Sequence, residues 1–253
     1  MKHLRAHAPA PAPTHKLNVL IVCEESQAEC IAFRNLGHNA YSCGLKPCRF
    51  RIGHPEWHIM GDVTPLLNGV PNFITQDCTP HTIHRWDLII AHPPCTYLCK
   101  LGSPRLVQKI PSNQFNGCPD GWYPESDDNK FVTIINAARL KKQRDARQFF
   151  LQCWNSKAAH YLAVENPLPM VRAQLPQPST FIDPSWFGVK YTKKNFYWLR
   201  NLPPIMPTVE HPYHKEFVYS SRGKYRSRTF PQVAEAIAQQ WSEFILDDIS
   251  THP

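Results

Sequence analysis

A chain of 253 residues with 42% hydrophobic and 11% aromatic content has room for one α/β domain with a substantial core, and that composition excludes a wholly disordered protein. Lysine plus arginine number 28 against 20 for aspartate plus glutamate, a formal charge of +8, which suits either a polyanionic partner or a plain basic enzyme. No run of about 18 apolar residues is present, so no membrane span is expected, and nothing ahead of the nine cysteines reads as a signal peptide. A cytoplasmic protein with reduced thiols is the expectation.

Residues 1–16 carry the run Ala8-Pro9-Ala10-Pro11-Ala12-Pro13 and are expected to form a disordered leader, with one domain over 17–248. Leu17 to Cys23 is apolar and rich in β-branched residues, the pattern of a strand buried on both faces. Glu24-Glu25-Ser26 then turns the chain; Ser26 is the expected N-cap of a helix running to Leu36 and stopped by Gly37. Short strands follow at Ala40–Cys43 and His58–Met60, the second leading into Gly61-Asp62. Trp86–Ala91 is the clearest central strand, and it runs into His92-Pro93-Pro94-Cys95, where two prolines forbid its continuation.

Residues 101–130 hold Pro, Gly, Asn and Asp without periodicity and are expected as a long surface loop. Phe131 to about Ser156 predicts a helix with Arg139, Lys141, Lys142, Arg144 and Arg147 on its wet side. Tyr161–Val164 is a further strand closed by Glu165-Asn166-Pro167. Phe181-Ile182 and Asn195–Leu199 are later strands around a turn near Gly188. The last element is an amphipathic helix from Pro231 through Val233, Ala234, Ile237, Trp241 and Ile245. Strands alternating with helices predict a doubly wound, mostly parallel sheet, whose ligands bind at the carboxyl ends of the strands. The turn at 24–26, Asp62, Pro93-Pro94-Cys95 and Glu165-Asn166 should all meet on that edge.

A cysteine on a rigid turn at a strand end can serve as a thiolate nucleophile, and an acid at the same edge can deliver a proton. Each alone reads equally as a turn residue with a local hydrogen bond; the pair points to chemistry. Cys78-x-x-His81-x-x-His84 and Cys95-x-x-x-Cys99 do not repeat a paired zinc pattern, so no metal is expected.

Pro93-Pro94-Cys95 resembles the Pro-Cys catalytic motif of DNA cytosine-C5 methyltransferases, and Glu165-Asn166 resembles the Glu-Asn motif of that family, in the same order. Gly61-Asp62-Val63 is similar to the motif beside the adenine of S-adenosylmethionine, and Arg226-Ser227-Arg228-Thr229-Phe230-Pro231 to the closing motif. Ala91 to Cys99 and Ser227 to Pro231 resemble, more specifically, small methyltransferase-like proteins encoded by bacteriophages, which implies a host-cell cytoplasm. The resemblance spans roughly 17–245 and implies a Rossmann-like methyltransferase fold.

It also implies that Cys95, held by Pro94, adds to cytosine C6 while Glu165 holds or protonates N3 and Asn166 positions that edge. The cofactor implied is S-adenosylmethionine, against Cys23, Glu24, Glu25, Ser26, Asp62, Val63 and Pro93. The partner implied is DNA, with the target base out of its stack. Lys193, Lys194, Arg226 and Arg228 read either as phosphate contacts or as a solvated face.

Three features depart from the family. The turn Cys23-Glu24-Glu25-Ser26-Gln27 lacks the glycine-rich first motif, and Cys43-Gly44-Leu45 has no ribose-gripping acid, for which Glu24 or Glu25 could substitute. Residues 200–225, with Pro203, Pro204, Pro207 and Pro212, are too few for a target-recognition domain. Specificity is then low, or comes from a partner protein, or from Trp122 and Tyr123 stacking on bases. Two other readings stay open: a C5 modification with a different electrophile, and a non-catalytic nucleic-acid binder. A cysteine hydrolase is weaker, because no histidine sits in an obvious partnering motif.

Overall fold

The computed structural model describes residues 15–48, 53–190, 192–210 and 229–252. The expected leader up to residue 14, and Arg226 and Arg228, lie outside the described residues. Strand β1 (Asn18–Val22) leads through a turn to helix α1 (Ala28–Asn35), then β2 (Asn39–Gly44) and β3 (His58–Met60). A short helix α2 (Thr64–Leu67) and the hairpin β4 (Asn72–Ile74) and β5 (Pro80–Thr82) precede the central β6 (Trp86–Ala91). Next come β7 (Val107–Pro111), β8 (Trp122–Asp127), β9 (Phe131–Asn136) and the long α3 (Ala137–Asn155). The chain returns to the main sheet with β10 (Ala159–Pro167), β11 (Thr180–Ile182) and β12 (Asn195–Arg200), and ends in α4 (Pro231–Thr251).

The fold is mixed α/β, built on a seven-stranded sheet ordered β3-β2-β1-β6-β10-β12-β11. The first five of these strands run parallel, and β12 is antiparallel to both its neighbours. The strand order reverses between β1 and β6, where such sheets open a crevice.

Successive strand residues point to opposite faces, and both faces here are apolar. Leu20, Val22, Ile89, Leu162 and Val164 pack with Phe150, Cys153 and Trp198. Val19, Ile21, Leu88, Ile90 and Ala163 pack with Phe33, Ile237 and Trp241. This two-sided burial is why β1 and β6 read as continuous apolar runs. The last helix starts at Pro231 as expected and buries Val233, Ala234, Ile237, Trp241 and Ile245. Among the described residues no helix is long and apolar enough to cross a membrane.

Three local expectations are corrected. The segment 101–130 is not a plain loop: β7 and β8 pair with β9 in a separate three-stranded antiparallel sheet. Residues Phe131–Asn136, expected as helix, are its central strand. Val132, Thr133, Ile134 and Ile135 form an unbroken β-branched run that is buried throughout, and the restricted χ1 of such residues favours a pleated surface. The helix starts only after Asn136, whose side-chain oxygen accepts the Arg139 N–H at 2.9 Å. Ser26 does not cap α1. That place falls to Gln27, and the buried carboxylate of Glu24 takes the first-turn N–H groups of Glu29 (2.7 Å) and Cys30 (3.3 Å). The two carboxyl oxygens of Glu24 take one of these donors each, which a single hydroxyl would not do as well.

Candidate active site

Pairing in the sheet brings the singled-out residues together. Val22 is level with Cys43 and Ala91, and Ala91 with Val164, so Cys23, Gly44, His92 and Glu165 leave the strands on one edge. Gly61 N–H donates to Gly44 O at 2.9 Å, which adds Asp62 to the same edge.

The turn after β1 keeps a glycine-like path without glycine. Cys23 has φ 63° and Gln27 φ 57°, left-handed conformations that cost a side-chain-bearing residue about 1–2 kcal/mol. For Gln27 the offset is visible. Its buried amide donates to Ser42 Oγ and His54 O, both at 3.0 Å, and accepts from His54 N–H at 2.6 Å. Glu25 is exposed and pairs with Lys46 at 3.0 Å, and Ser26 is half-buried beside it. Glu24, expected to face a cofactor, is turned inward to cap α1. Asp62 accepts the Thr64 N–H at 2.9 Å, and Val63 is buried.

Pro93 is buried and Pro94 exposed, after which the chain folds back: the N–H groups of Leu98 and Cys99 both donate to Cys95 O at 3.0 Å. This loop is held from two sides. Leu98 O accepts from Met170 N–H and Lys100 N–H donates to Leu168 O, both at 2.8 Å, tying it to the segment just after Glu165-Asn166-Pro167. From α3, Gln143 Nε2 donates to Tyr97 O at 3.2 Å, and the Arg139 guanidinium lies 4.9 Å from the Tyr97 ring centre.

Cys95 and Cys99 share a thiol hydrogen bond, and both are free cysteines. That bond, then burial, then the Glu165 charge hold the Cys95 thiol far above its ordinary value, with Lys193 pulling the other way. The same bond, aided by the N–H groups of Gly102 and Leu101, brings Cys99 down to about 6. The two thiols titrate as one coupled pair, between which a proton can pass. An attacking Cys95 sulfur then has a proton acceptor beside it.

Two acids and a histidine complete the site, and two of them escaped sequence reasoning. His92 Nε2 is 3.0 Å from Glu29 Oε2, and His92 Nδ1 is 3.5 Å from Glu165 Oε2. Thr229 Oγ1 donates to Glu29 Oε1 at 3.3 Å, which brings Thr229, just ahead of α4, to the same cluster. Asn166 is buried; its Nδ2 donates to Pro167 O at 2.6 Å, and its Oδ1 has no partner among the described residues. Lys193 lines a small cleft with Asn195, Tyr197 and Thr229, whereas Lys194 lies away over the Phe181 ring, 4.7 Å from its centre. Among the described residues no three His, Cys, Asp or Glu side chains gather as a metal site.

Glu24 carries a testable consequence. Burial first, and the Glu29 charge second, push its carboxyl from 4.5 up to about 7. Across that window the folded chain holds a proton that the unfolded chain has lost, so stability falls as pH rises. The full linkage is roughly 3 kcal/mol. Glu24→Gln keeps one of two acceptors, so we expect it to be about 1–2 kcal/mol more stable than the parent at pH 8 and no more stable at pH 4. Urea melts at both pH values decide this; parallel pH dependences would refute it.

Comparison of the sequence with models of protein families and with curated proteins finds no match to either.

Proposed function

We propose that this chain is a cytosine-C5 methyltransferase acting on DNA, with S-adenosylmethionine as methyl donor and Cys95 as the covalent nucleophile. The observation that carries the reading is the juxtaposition of Cys95 and Glu165 at the ends of the neighbouring strands β6 and β10. The parallel order β3-β2-β1-β6-β10 matches the 3-2-1-4-5 order of doubly wound nucleotide-binding sheets, whose crevice opens at the strand-order reversal. That supports a Rossmann-like reading of the fold.

The residues present fit the donor. The left-handed turn at Cys23 persists without glycine, and a Cβ built on Gly44 would meet nothing nearer than 3.7 Å, leaving backbone open to close approach. Glu25 supplies the carboxylate that the end of β2 lacks, its Cγ standing 4.0 Å from that Cβ position. Cys23, Glu25, Ser26, Asp62, Val63 and Pro93 would hold S-adenosylmethionine, which supplies the methyl group taken by C5.

The chain's own groups do the rest. Cys95 Sγ forms a bond to C6 of the flipped-out base as its proton passes to Cys99 Sγ. Glu165 faces N3 and stabilises the electron-rich ring that results. Asn166 fixes the end of β10. Water takes the C5 proton, after which the Cys95–C6 bond breaks and Cys95 recovers its proton. Lys193, with Lys142 5.8 Å from the centre of the Tyr97 ring, gives DNA phosphates cations beside the nucleophile. The stretch 200–225 is too short for a recognition domain of ordinary size, so sequence preference is weak or supplied by a partner protein.

Calorimetric titration with S-adenosylmethionine, repeated with S-adenosylhomocysteine, tests the donor. Micromolar binding of both is expected. No heat and no thermal shift with either would remove the methyl-donor claim.

A further inference from the structure

His92 is a partly buried titratable side chain with a carboxylate at each ring nitrogen, and the covalent chemistry above does not use it. It directly precedes Pro93-Pro94-Cys95, and its backbone is fixed in the sheet by its N–H bond to Val22 O at 2.9 Å. Both ring nitrogens face carboxylates, Glu29 at 3.0 Å and Glu165 at 3.5 Å. A neutral imidazole has only one N–H to offer, so two carboxylate partners are both satisfied only by the imidazolium. Glu29 is wholly buried, and a buried carboxylate without a cation is strongly unfavourable. Glu29 is thus an anchor that keeps a cation at His92, and Thr229 takes its other oxygen.

We propose that His92 is a positioning residue: as an imidazolium bridging Glu29 and Glu165, it orients the Glu165 carboxyl and supplies the proton that Glu165 delivers to pyrimidine N3. This rests on the methyltransferase reading of the site. In the step, His92 Nδ1–H passes its proton to the Glu165 carboxylate, and the O–H so formed delivers it to N3 as the Cys95–C6 bond forms. The proton returns by the same route when that bond breaks, so His92 and Glu165 end as they began. Glu29 never shares the proton with substrate; it makes the imidazolium the resting form.

The groups facing His92 come from every side of the site: Glu29 on α1, Glu165 on β10, and Glu24 and Cys23 after β1. Tyr197 on β12 is buried against the two acids that hold His92. Burial alone would push the imidazole down, but Glu29 and Glu165 outweigh it and hold His92 well above its ordinary value. The relay is therefore charged at and below neutral pH and is lost as pH rises through that elevated value.

Two measurements on the full chain test this. In protein with 15N-labelled histidine, the His92 ring should give an imidazolium spectrum at pH 7, and its titration midpoint should fall by at least about one pH unit in Glu29→Gln. With S-adenosylmethionine present, adduct formation with a duplex carrying 5-fluorocytosine should slow about a hundredfold in His92→Asn. The parent's rate should decline with alkaline pH at the midpoint seen in the ring spectrum, a coincidence that a merely structural role would not produce. A neutral His92 ring at pH 7 overturns the proposal whether or not an adduct forms. So does an unchanged adduct rate in folded His92→Asn. If the parent forms no adduct while His92 is cationic, it is the methyltransferase reading that fails, and the relay to N3 falls with it.

Discussion

In the presence of S-adenosylmethionine, Cys95→Ser is expected to lose covalent capture of a 5-fluorocytosine duplex completely, while binding the same duplex and melting within about 1 kcal/mol of the parent. The reason lies in the nucleophile. In the proposed reaction sulfur adds to C6 as a thiolate or near-thiolate, and Cys99, whose thiol is lowered by its bond to Cys95 and by the Gly102 and Leu101 N–H groups, stands beside it as the proton acceptor. A serine hydroxyl is far less acidic, and the His92 imidazole is occupied by Glu29 and Glu165. A loss of more than about a thousandfold corresponds to roughly 4 kcal/mol of transition-state stabilisation. Gel retention of the adduct under denaturing conditions reads it directly. Cys99→Ser is the informative companion, because it keeps the nucleophile and removes the acceptor; the adduct should still form, but slowly. Retained capture by Cys95→Ser would place the covalent bond elsewhere and end the assignment of Cys95.

The strands that fix the site were readable because burial on both faces leaves one pattern only. Val19, Leu20, Ile21 and Val22, like Leu88, Ile89 and Ile90, are all fully buried, and no helix pattern competes at that length. The alternation of such runs with helices led to an α/β sheet that is mostly parallel. The Pro-Pro stop after β6 likewise located the edge residue Cys95 from local chemistry alone.

The failures have equally specific causes. Phe131–Asn136 runs without a break into α3, so apolar residues of a strand and a helix merged into one apparent helical stretch. The partner strands that decide the matter, β7 and β8, are short and carry Pro111 and Pro124. At α1, preference for a hydroxyl at the N-cap singled out Ser26, but Glu24 lies five residues ahead of the Glu29 N–H it accepts, outside the spacing of an ordinary capping residue. The Glu29–His92–Glu165 cluster joins residues 63 and 73 positions apart. Only the pairing of β1, β6 and β10 brings them together. One clue was available: a glutamate on the apolar side of an amphipathic helix calls for a buried cation, and a histidine beside Pro-Pro-Cys could supply it.

Gly102→Ala should give the second largest effect, a drop of about a hundredfold in adduct formation with DNA affinity nearly unchanged. Gly102 follows the loop that carries Cys95, and a Cβ built there would sit 2.7 Å from the backbone oxygen of Thr96. That oxygen belongs to the residue next to Cys95, so relief must come from the backbone of the loop and not from a flexible side-chain end. The loop has little freedom to give. It is held at Leu98 and Lys100 by the segment after Asn166, and at Tyr97 by Gln143. Overpacking of this kind costs about 1–3 kcal/mol of stability, and a displacement near 1 Å at the reacting atom costs about 10²-fold in rate. The disturbance also weakens the N–H groups of Leu101 and Gly102 as support for the Cys99 charge, so the pH optimum for capture should move upward. A urea melt separates the two contributions: a variant that is folded yet slow supports the clamped loop, whereas full activity would mean that the loop is free to move and that the fixed Cys95 geometry is not what drives addition.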